Sequence, residues 1–370
     1  MYGTSATPRG RNSSAIFWRK PINRTPGWRC WLAALTLLIL GGGHGWAGEI
    51  RILTWSSYIS PQVLERFERE AGVRVKVDTV TNYVDLMAPL LTGASGYDIA
   101  FPADFQVRDL VRGGLLEKVG VDRLANFWNV EDVWRSRPLD PRDEYTVPHV
   151  WGTTAFVIDT SVYKGDIDTL KLVFEPPPEI DGKLVLLDSG YDMVQLALIW
   201  LRLPRCSTRP EHLARAEGLL VPMLRRYPLA DIDTIVEELA NGRYALGVAW
   251  NGDALKARLK RPSLKFAHPR EGSLVWTDVI VVPKGAPNRA DALKFLSFMM
   301  RPDIAGMESN YNLYATVIKG VDRYLDRHLL NAPEIVAPIS STLDFYTFCD
   351  NNAETQQENF WKVLKDKARQ

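Results

Sequence analysis

The chain has 370 residues, enough for two domains that each have a hydrophobic core. Its composition, 46% hydrophobic and 24% charged, is typical of a soluble globular protein. Its net charge is +1, but residues 1–48 contain six basic residues and no acid, and subtracting these six leaves −5 for residues 49–370. A mildly acidic body disfavours nucleic acid as a partner and suits a cationic ligand.

Residues 1–48 have the pattern of an export signal. A basic segment precedes an apolar run, residues 31–40, that is too short to span a bilayer. Small residues at Gly45 and Ala47 then suit cleavage after Ala47. We therefore expect a Sec-type signal peptide and a periplasmic mature protein. An uncleaved anchor is the competing interpretation, and the length of the basic segment leaves the true start codon open.

Strand and helix patterns alternate after this segment. Apolar alternation predicts strands at residues 49–55, 73–80 and 97–101, and helices at 61–72 and 83–91, with a third helix capped by Asp104 and running to residue 111. This order is typical of βαβ units in a mostly parallel sheet. Ligands of such sheets bind beyond the carboxyl ends of the strands, here near Trp55 and residues 102–105.

The middle of the chain repeats the pattern. A strand that crosses between two domains is predicted over residues 146–158, with further strands at 184–187 and 244–250. Helices are predicted at 192–203, 210–227 and 234–241, at 293–299, from Arg301 onward and at 354–367, and residues 311–317 are expected to form a loop.

Asp278 stands at the start of an apolar run, residues 279–282, that predicts a buried strand. A carboxylate at the end of such a strand is costly unless a cation or several hydrogen-bond donors meet it. We expect the partner of Asp278 to be a bound organic cation.

The cysteines, the histidines and the known catalytic motifs give no indication of an enzyme or of a metal site. Cys206 and Cys349 can form a disulfide in an exported protein or remain two separate buried thiols. The sequence has no C-x-x-C, G-x-S-x-G, H-E-x-x-H or phosphate-binding loop, and its five histidines lack ligand spacing. We therefore predict a protein that is not an enzyme and uses no cofactor.

Six segments occur in the same order as in a known family. They are residues 53–60 (LTWSSYIS), 96–107 (GYDIAFPADFQV), 145–159 (YTVPHVWGTTAFVID), 184–198 (LVLLDSGYDMVQLAL), 246–254 (LGVAWNGDA) and 273–283 (SLVWTDVIVVP). Together they resemble the periplasmic polyamine-binding proteins of ABC importers, the spermidine/putrescine type, over nearly all of residues 49–365.

This resemblance implies an α/β periplasmic binding protein fold of type II. Each lobe is expected to be a mostly parallel sheet flanked by helices, with crossing strands joining the two lobes. Lobe one would comprise residues 49–152 and 276–319, and lobe two residues 153–275 and 320–370. The family implies a monomer that clamps a linear polyamine between its lobes and delivers it to an inner-membrane ABC permease.

The resemblance also implies the ligand-binding residues. Polyamine recognition uses aromatic faces against methylenes and ammonium groups, with carboxylates at the spacing of the nitrogens. The matching aromatic positions are Trp55, Tyr58, Trp250, Trp276 and Tyr311. The matching acids are Asp278, Asp253 and Asp192, which stands where the family usually has a glutamate. Taken singly, each aromatic residue can instead belong to the core and each acid can cap a helix.

Several positions depart from the family pattern. Ser189 stands where spermidine-preferring members have an aspartate, Ala103 replaces a serine, and Phe105 replaces a tyrosine. Ser56 keeps a hydroxyl beside Trp55, and Thr347 is a rough match for a glutamine. These departures predict a changed specificity, for fewer or differently spaced nitrogens or for a modified polyamine.

Two other functions are compatible with the same fold. Some family members report polyamine to a membrane-bound sensor instead of a permease, and the sequence does not separate the two roles. The fold can also serve another small amine or an amino acid. The aromatic positions favour an organic cation.

Overall fold

The computed structural model describes residues 48–335, 343–344, 349 and 353–370. The predicted signal peptide, apart from Gly48, and Thr347 lie outside these residues. From residue 48 onward the described chain forms one compact unit. No helix in these ranges is long and apolar enough to cross a membrane.

Strands and helices alternate along the described residues. The strands are β1 (Gly48–Trp55), β2 (Val73–Val80), β3 (Ile99–Ala100), β4 (Thr146–Asp159), β5 (Leu184–Leu187), β6 (Leu229–Ala230), β7 (Leu246–Trp250), β8 (Leu264–Phe266), β9 (Ser273–Val281), β10 (Ala315–Thr316) and β11 (Leu343–Asp344). The helices are α1 (Pro61–Ala71), α2 (Tyr83–Leu90), α3 (Asp104–Arg112), α4 (Lys171–Phe174), α5 (Gly190–Trp200), α6 (Pro210–Arg226), α7 (Ile232–Ala240), α8 (Asn251–Lys260), α9 (Arg289–Met299), α10 (Pro302–Asn312), α11 (Arg327–Leu330) and α12 (Ala353–Arg369).

The first strand–helix–strand unit follows its sequence pattern. Helix α1 begins at Pro61, whose fixed φ suits the first helical turn, and it ends before Gly72, which adopts a left-handed φ of 66°. Val63 and Phe67 are buried on the inner face of this helix. Strand β1 pairs in parallel with both β2 and β3, as expected for βαβ units.

One mixed sheet has the strand order β2-β1-β3-β9-β4-β7-β5-β6. Its two ends are parallel, since β1 pairs with β2 and β3, and β5 pairs with β6 and β7. In the middle, β9 and β4 run antiparallel to each other and to their outer neighbours. Two parallel groups are thus joined by crossing strands, which confirms the predicted fold class.

Strand β4 is the longer of the two crossing strands, and it is buried along almost its whole length. Its first part, residues 146–154, pairs with β9, whereas residues 154–158 pair with β7. The register shifts between Pro148 and Val150 because proline has no N–H to donate to the ladder. The predicted crossing strand, residues 146–158, is thus one continuous strand that changes partner near its middle.

Two acids occupy different places from those predicted. Asp278 lies inside β9 opposite Val150, and not at the end of a strand, because the ladder with β4 already begins at Leu274. Asp104 is the first residue of α3 and does not cap it. Its carboxylate instead accepts a hydrogen bond from Arg137 at 3.2 Å.

Two segments have more regular structure than predicted. Tyr311 belongs to the end of α10, and Ala315–Thr316 pairs with β4, so residues 311–317 are only partly a loop. The Asn-Gly-Asp sequence after β7 opens helix α8, and no helix was predicted there. The amphipathic C-terminal helix is confirmed as α12.

Cys206 and Cys349 form a disulfide, which resolves the alternative left open by the sequence. The bond ties the segment between α5 and α6 to the chain just before α12, across a sequence separation of 143. Helix α12 packs against both α5 and α6. The disulfide therefore holds the C-terminal helix on its supporting layer.

Replacing both Cys206 and Cys349 by serine should lower the free energy of unfolding by about 2–5 kcal/mol, because the bond closes a long loop in the unfolded chain. Urea unfolding of the variant and of the wild type gives this difference. The wild type unfolded in excess reductant is the control and should match the variant. Coincident unfolding curves of the oxidised wild type and the variant would contradict the expectation.

Candidate ligand-binding site

A cavity lies where the two parallel groups of strands meet the crossing strands. Trp55 and Trp250 end β1 and β7, and Trp276 and Asp278 project from β9. Among the described residues, the lining consists of Trp55, Tyr58, Tyr83, Ile232, Trp250, Trp276, Asp278 and Tyr314. Six aromatic rings and one isoleucine therefore surround a single carboxylate.

The aromatic rings of the cavity contact one another edge to face. Trp276 meets Tyr314 at a centroid distance of 5.1 Å and Trp250 at 6.4 Å, with planes inclined at 73° and 76°. Trp55 and Tyr83 are 5.2 Å apart with planes at 81°. In this arrangement ring edges pack on ring faces, which suits the aromatic quadrupoles and fixes the wall without a ligand.

Two glycines let these rings approach the backbone. A Cβ on Gly152, in the crossing part of β4, would lie 2.4 Å from the Trp276 ring. A Cβ on Gly252 would lie 2.5 Å from the Tyr314 ring. Because these rings are packed on other rings, a side chain at either glycine would displace part of the wall.

Asp278 is buried, with 6% of its surface exposed, and accepts a hydrogen bond from the Tyr58 hydroxyl at 2.7 Å. Burial raises the pKa of this carboxyl well above its usual range, and the Tyr58 hydrogen bond only partly offsets that effect. The charge of Asp104 adds a smaller upward contribution to the pKa. A cation placed in the cavity would oppose these effects and favour the ionised carboxylate.

Asp192 is fully buried on the first turn of α5 and accepts three side-chain hydrogen bonds. Thr154 and Ser189 each donate a hydroxyl at 2.6 Å, and the Trp250 indole N–H donates at 3.3 Å. Burial nevertheless raises the pKa of Asp192 to about 6. This carboxyl thus fixes the orientation of a cavity ring and does not itself line the cavity.

Ser189 has a structural role at the same place. It is the N-cap of α5, and its hydroxyl also accepts a hydrogen bond from the backbone N–H of Asp192. The predicted ligand-binding residue therefore acts in this structure as a support for Asp192.

Asp253 lies on the first turn of α8 with 1% of its surface exposed. Its carboxylate accepts hydrogen bonds from the Tyr314 hydroxyl and from the Lys256 ammonium, both at 2.9 Å. Asp253 is therefore connected to the cavity through Tyr314.

Three further predicted site residues do not line the cavity. Ser56 is half-buried, and its backbone N–H pairs with Val80. Phe105 stacks on Tyr191 at 4.2 Å in a neighbouring groove. Tyr311 is 41% exposed on α10.

Tyr314 supplies the aromatic ring at the place predicted for Tyr311. The chain turns through Leu313, which has a left-handed φ of 65°, and this turn directs Tyr314 inward. Tyr83 and Ile232, at the first residues of α2 and α7, were also not predicted. Both start a helix after a strand, and this position at the carboxyl edge of the sheet is the signal that could have identified them.

A further buried carboxyl supports the loop that holds Tyr58. Glu308 on α10 is 1% exposed and accepts the Ser60 backbone N–H with both oxygens at 3.2 Å. Burial raises the pKa of Glu308 to about 8, an effect that the Ser60 hydrogen bond reduces. Asn312, on the same helix, donates to the Tyr58 carbonyl at 3.4 Å.

His149 packs beside Tyr58 and Phe101 below the cavity, with ring centroids 5.8 and 5.2 Å away. Burial lowers its pKa to about 3, so the ring is neutral at physiological pH. The described residues contain no group of three or more His, Cys, Asp or Glu side chains suited to holding a metal ion.

The model of the bacterial extracellular solute-binding protein family matches residues 62–326. The chain therefore belongs to this family of solute-binding proteins. The spermidine/putrescine-binding periplasmic protein of Salmonella typhimurium is 30% identical over 287 residues, which are 75% of this chain and 81% of that relative. The putrescine/agmatine-binding protein of Pseudomonas aeruginosa is 28% identical over 333 residues, which are 83% of this chain and 89% of that relative.

A solved structure shares the fold. The spermidine/putrescine ABC transporter substrate-binding protein PotD from Streptococcus pneumoniae superposes with a TM-score of 0.71 at 21% identity, over 87% of this chain and 100% of that chain. The resemblance found in the six collinear segments is thereby confirmed, and the fold is that of type II periplasmic binding proteins. The relatives are named as binding proteins and not as enzymes.

The buried carboxyl of Glu308 should give the protein a measurable pH dependence. Between the unfolded pKa near 4.5 and the folded pKa of about 8, the unfolded chain has lost the proton that the folded chain keeps. Stability from this group is therefore present below about pH 4.5 and is lost as the pH rises through this window. The Glu308→Gln side chain cannot ionise. The free energy of unfolding of this variant, relative to that of the wild type, should therefore rise by roughly 1–3 kcal/mol from pH 5 to pH 8.

Urea unfolding of both proteins at pH 5, 6, 7 and 8 measures this difference. The wild type is the reference at each pH, which cancels the groups that the two proteins share. Parallel pH profiles would show that Glu308 does not titrate in this window.

Proposed function

We propose that this protein captures a linear polyamine of the putrescine/spermidine class between two lobes in the periplasm and delivers it to an inner-membrane ABC permease. The observation that carries the proposal is the buried carboxylate of Asp278, which among the described residues is the one carboxylate in a wall of aromatic rings. This combination suits an ammonium group joined to methylenes. It offers little to an anion.

The energetics favour a ligand that carries its own positive charge. Asp278 receives one neutral hydroxyl, from Tyr58, and its pKa is raised because burial penalises the charged form. An ammonium entering the cavity loses its hydration, but it gains an ion pair with this carboxylate and cation–π contacts with indole and phenol faces. The methylenes gain apolar contacts with the same rings.

The remaining parts of the proposal rest on several independent observations. The Salmonella and Pseudomonas relatives carry polyamine names, and the Streptococcus structure is named as part of an ABC transporter. The Cys206–Cys349 disulfide suits an oxidising compartment, in line with the export signal expected in residues 1–48. A permease is therefore the partner that we propose, with a membrane sensor as the alternative.

We further propose that the ligand closes two lobes about the crossing strands. Lobe one would hold residues 49–152 and 276–319, and lobe two residues 153–275 and 320–370. The change of partner within β4, from β9 to β7, supports a boundary close to Gly152. The cavity residues then come from both lobes, so a bound ligand would favour the closed state.

Isothermal calorimetry against putrescine, cadaverine, agmatine, spermidine, norspermidine and spermine tests the proposal. The protein is first unfolded in urea and refolded to remove carried ligand. We expect a Kd below about 1 μM for one or two of these amines. Absence of binding to all six, with binding of an amino acid such as γ-aminobutyrate instead, would replace the polyamine by another solute class.

Asp278→Asn should weaken binding of the preferred amine by about 2–4 kcal/mol, because it leaves a desolvated ammonium without its charged partner. The asparagine side chain keeps the shape of the site and can still accept the Tyr58 hydrogen bond. Titration of both proteins with the same amine gives the difference. Asp132→Asn, at an exposed position, is the control and should bind like the wild type. A change in Asp278→Asn of only a few tenths of a kcal/mol would show that another group anchors the ligand.

A further inference from the structure

One cation-binding position beside the cavity is already filled by the protein itself. The Lys256 ammonium lies 2.9 Å from the Asp253 carboxylate and 5.7 Å from the centroid of the Tyr314 ring. A carboxylate together with an aromatic face is the combination that recognises an alkylammonium group. Lys256 therefore makes the contacts that a ligand nitrogen would make at this place.

The pair is not an ordinary helix-surface ion pair. Lys256 and Asp253 stand three residues apart on α8, a spacing that is worth little between exposed side chains. Here the Asp253 side chain is 1% exposed and the Lys256 side chain 21% exposed. The second Asp253 oxygen accepts the hydroxyl of Tyr314, whose ring lines the cavity. The pair is thus coupled directly to the ligand-binding wall.

The other cations of α8 are directed elsewhere. Arg258 pairs with Glu334, and Lys260 pairs with Glu237. Both of these acids lie outside the cavity lining. Within α8, Lys256 is the cation that approaches the cavity wall.

This pairing changes the charge that the site can offer a ligand. Within the described part of the chain, Asp253 is balanced by Lys256, whereas Asp278 accepts the neutral hydroxyl of Tyr58 and Asp192 accepts neutral donors. Asp278 is then the carboxylate of the cavity lining that has no cation beside it, since Asp192 is fully buried behind Trp250 and does not line the cavity.

We propose that Lys256 is a specificity-determining residue that occupies the amine position beside Asp253 and Tyr314 and so makes the site prefer diamines to triamines. The further ammonium of a triamine would find Asp253 already paired and would be repelled by Lys256. This inference rests on the proposed polyamine function and adds the class of polyamine.

The test compares the affinities of putrescine and spermidine in wild type and Lys256→Met, a side chain of similar length without charge. The wild type should prefer putrescine. In Lys256→Met the ratio of spermidine to putrescine affinity should rise roughly tenfold or more, because Asp253 becomes free to pair with a ligand nitrogen. A second substitution, Asp253→Asn, in the Lys256→Met protein should remove this gain, which separates a charge effect from an enlarged cavity.

Two further variants complete the design. Lys256→Arg keeps the charge and should keep the wild-type ratio, and Lys260→Met on the same helix should leave the ratio unchanged. Circular dichroism and thermal unfolding establish that each variant folds. If Lys256→Met does not fold, Lys256→Arg provides the test, and loss of the wild-type ratio in folded Lys256→Arg would overturn the inference.

A wild-type preference for spermidine, or an unchanged ratio in Lys256→Met, would overturn this inference alone. Absence of binding of all six amines to both wild type and Lys256→Met would instead overturn the proposed polyamine function, and the inference with it.

Discussion

The structure depends on the burial of an ionisable carboxyl at the centre of a crossing strand. Asp278 lies in β9 between β3 and β4, so its backbone is fixed by neighbours on both sides. Its side chain is enclosed by aromatic rings and receives the hydroxyl of Tyr58. Burial is unfavourable for the charged form of the Asp278 carboxyl, because the carboxylate loses its hydration. The carboxyl stays buried because the surrounding strands and rings are rigid.

The surrounding fold supplies this rigidity in layers. The loop that carries Tyr58 is held by Glu308 through the Ser60 N–H, and Trp250 is held by Asp192. Trp55 and Trp250 lie at the carboxyl ends of strands in the two parallel groups, β1 and β7, whereas Trp276 and Asp278 lie in the middle of the antiparallel strand β9. The cavity therefore forms only where the two kinds of strand pairing meet.

Three aspartates near the cavity show how the surroundings give one residue type different roles. Asp278 lines the cavity and accepts one neutral donor, Asp192 accepts three neutral donors of which one is the Trp250 indole, and Asp253 forms an ion pair within the chain. A ligand cation gains most where the protein has left a carboxylate without a cation. The position of Lys256 therefore matters to selectivity as much as the positions of the acids.

The sequence by itself determined the local elements and the family. Pro61 and Gly72 bound α1, alternation marked β2, and six collinear segments identified the solute-binding protein, because these signals are contained within a few neighbouring residues. Tertiary structure decided that Tyr314, 3% exposed, lines the cavity in place of Tyr311, that Cys206 bonds Cys349, and that Lys256 meets Asp253 beneath a cavity ring. Periodicity records which side of an element is buried but not which side chain it meets there. The bond between Tyr58 and Asp278, 220 residues apart, exists only because the chain returns through β9 to its first strands.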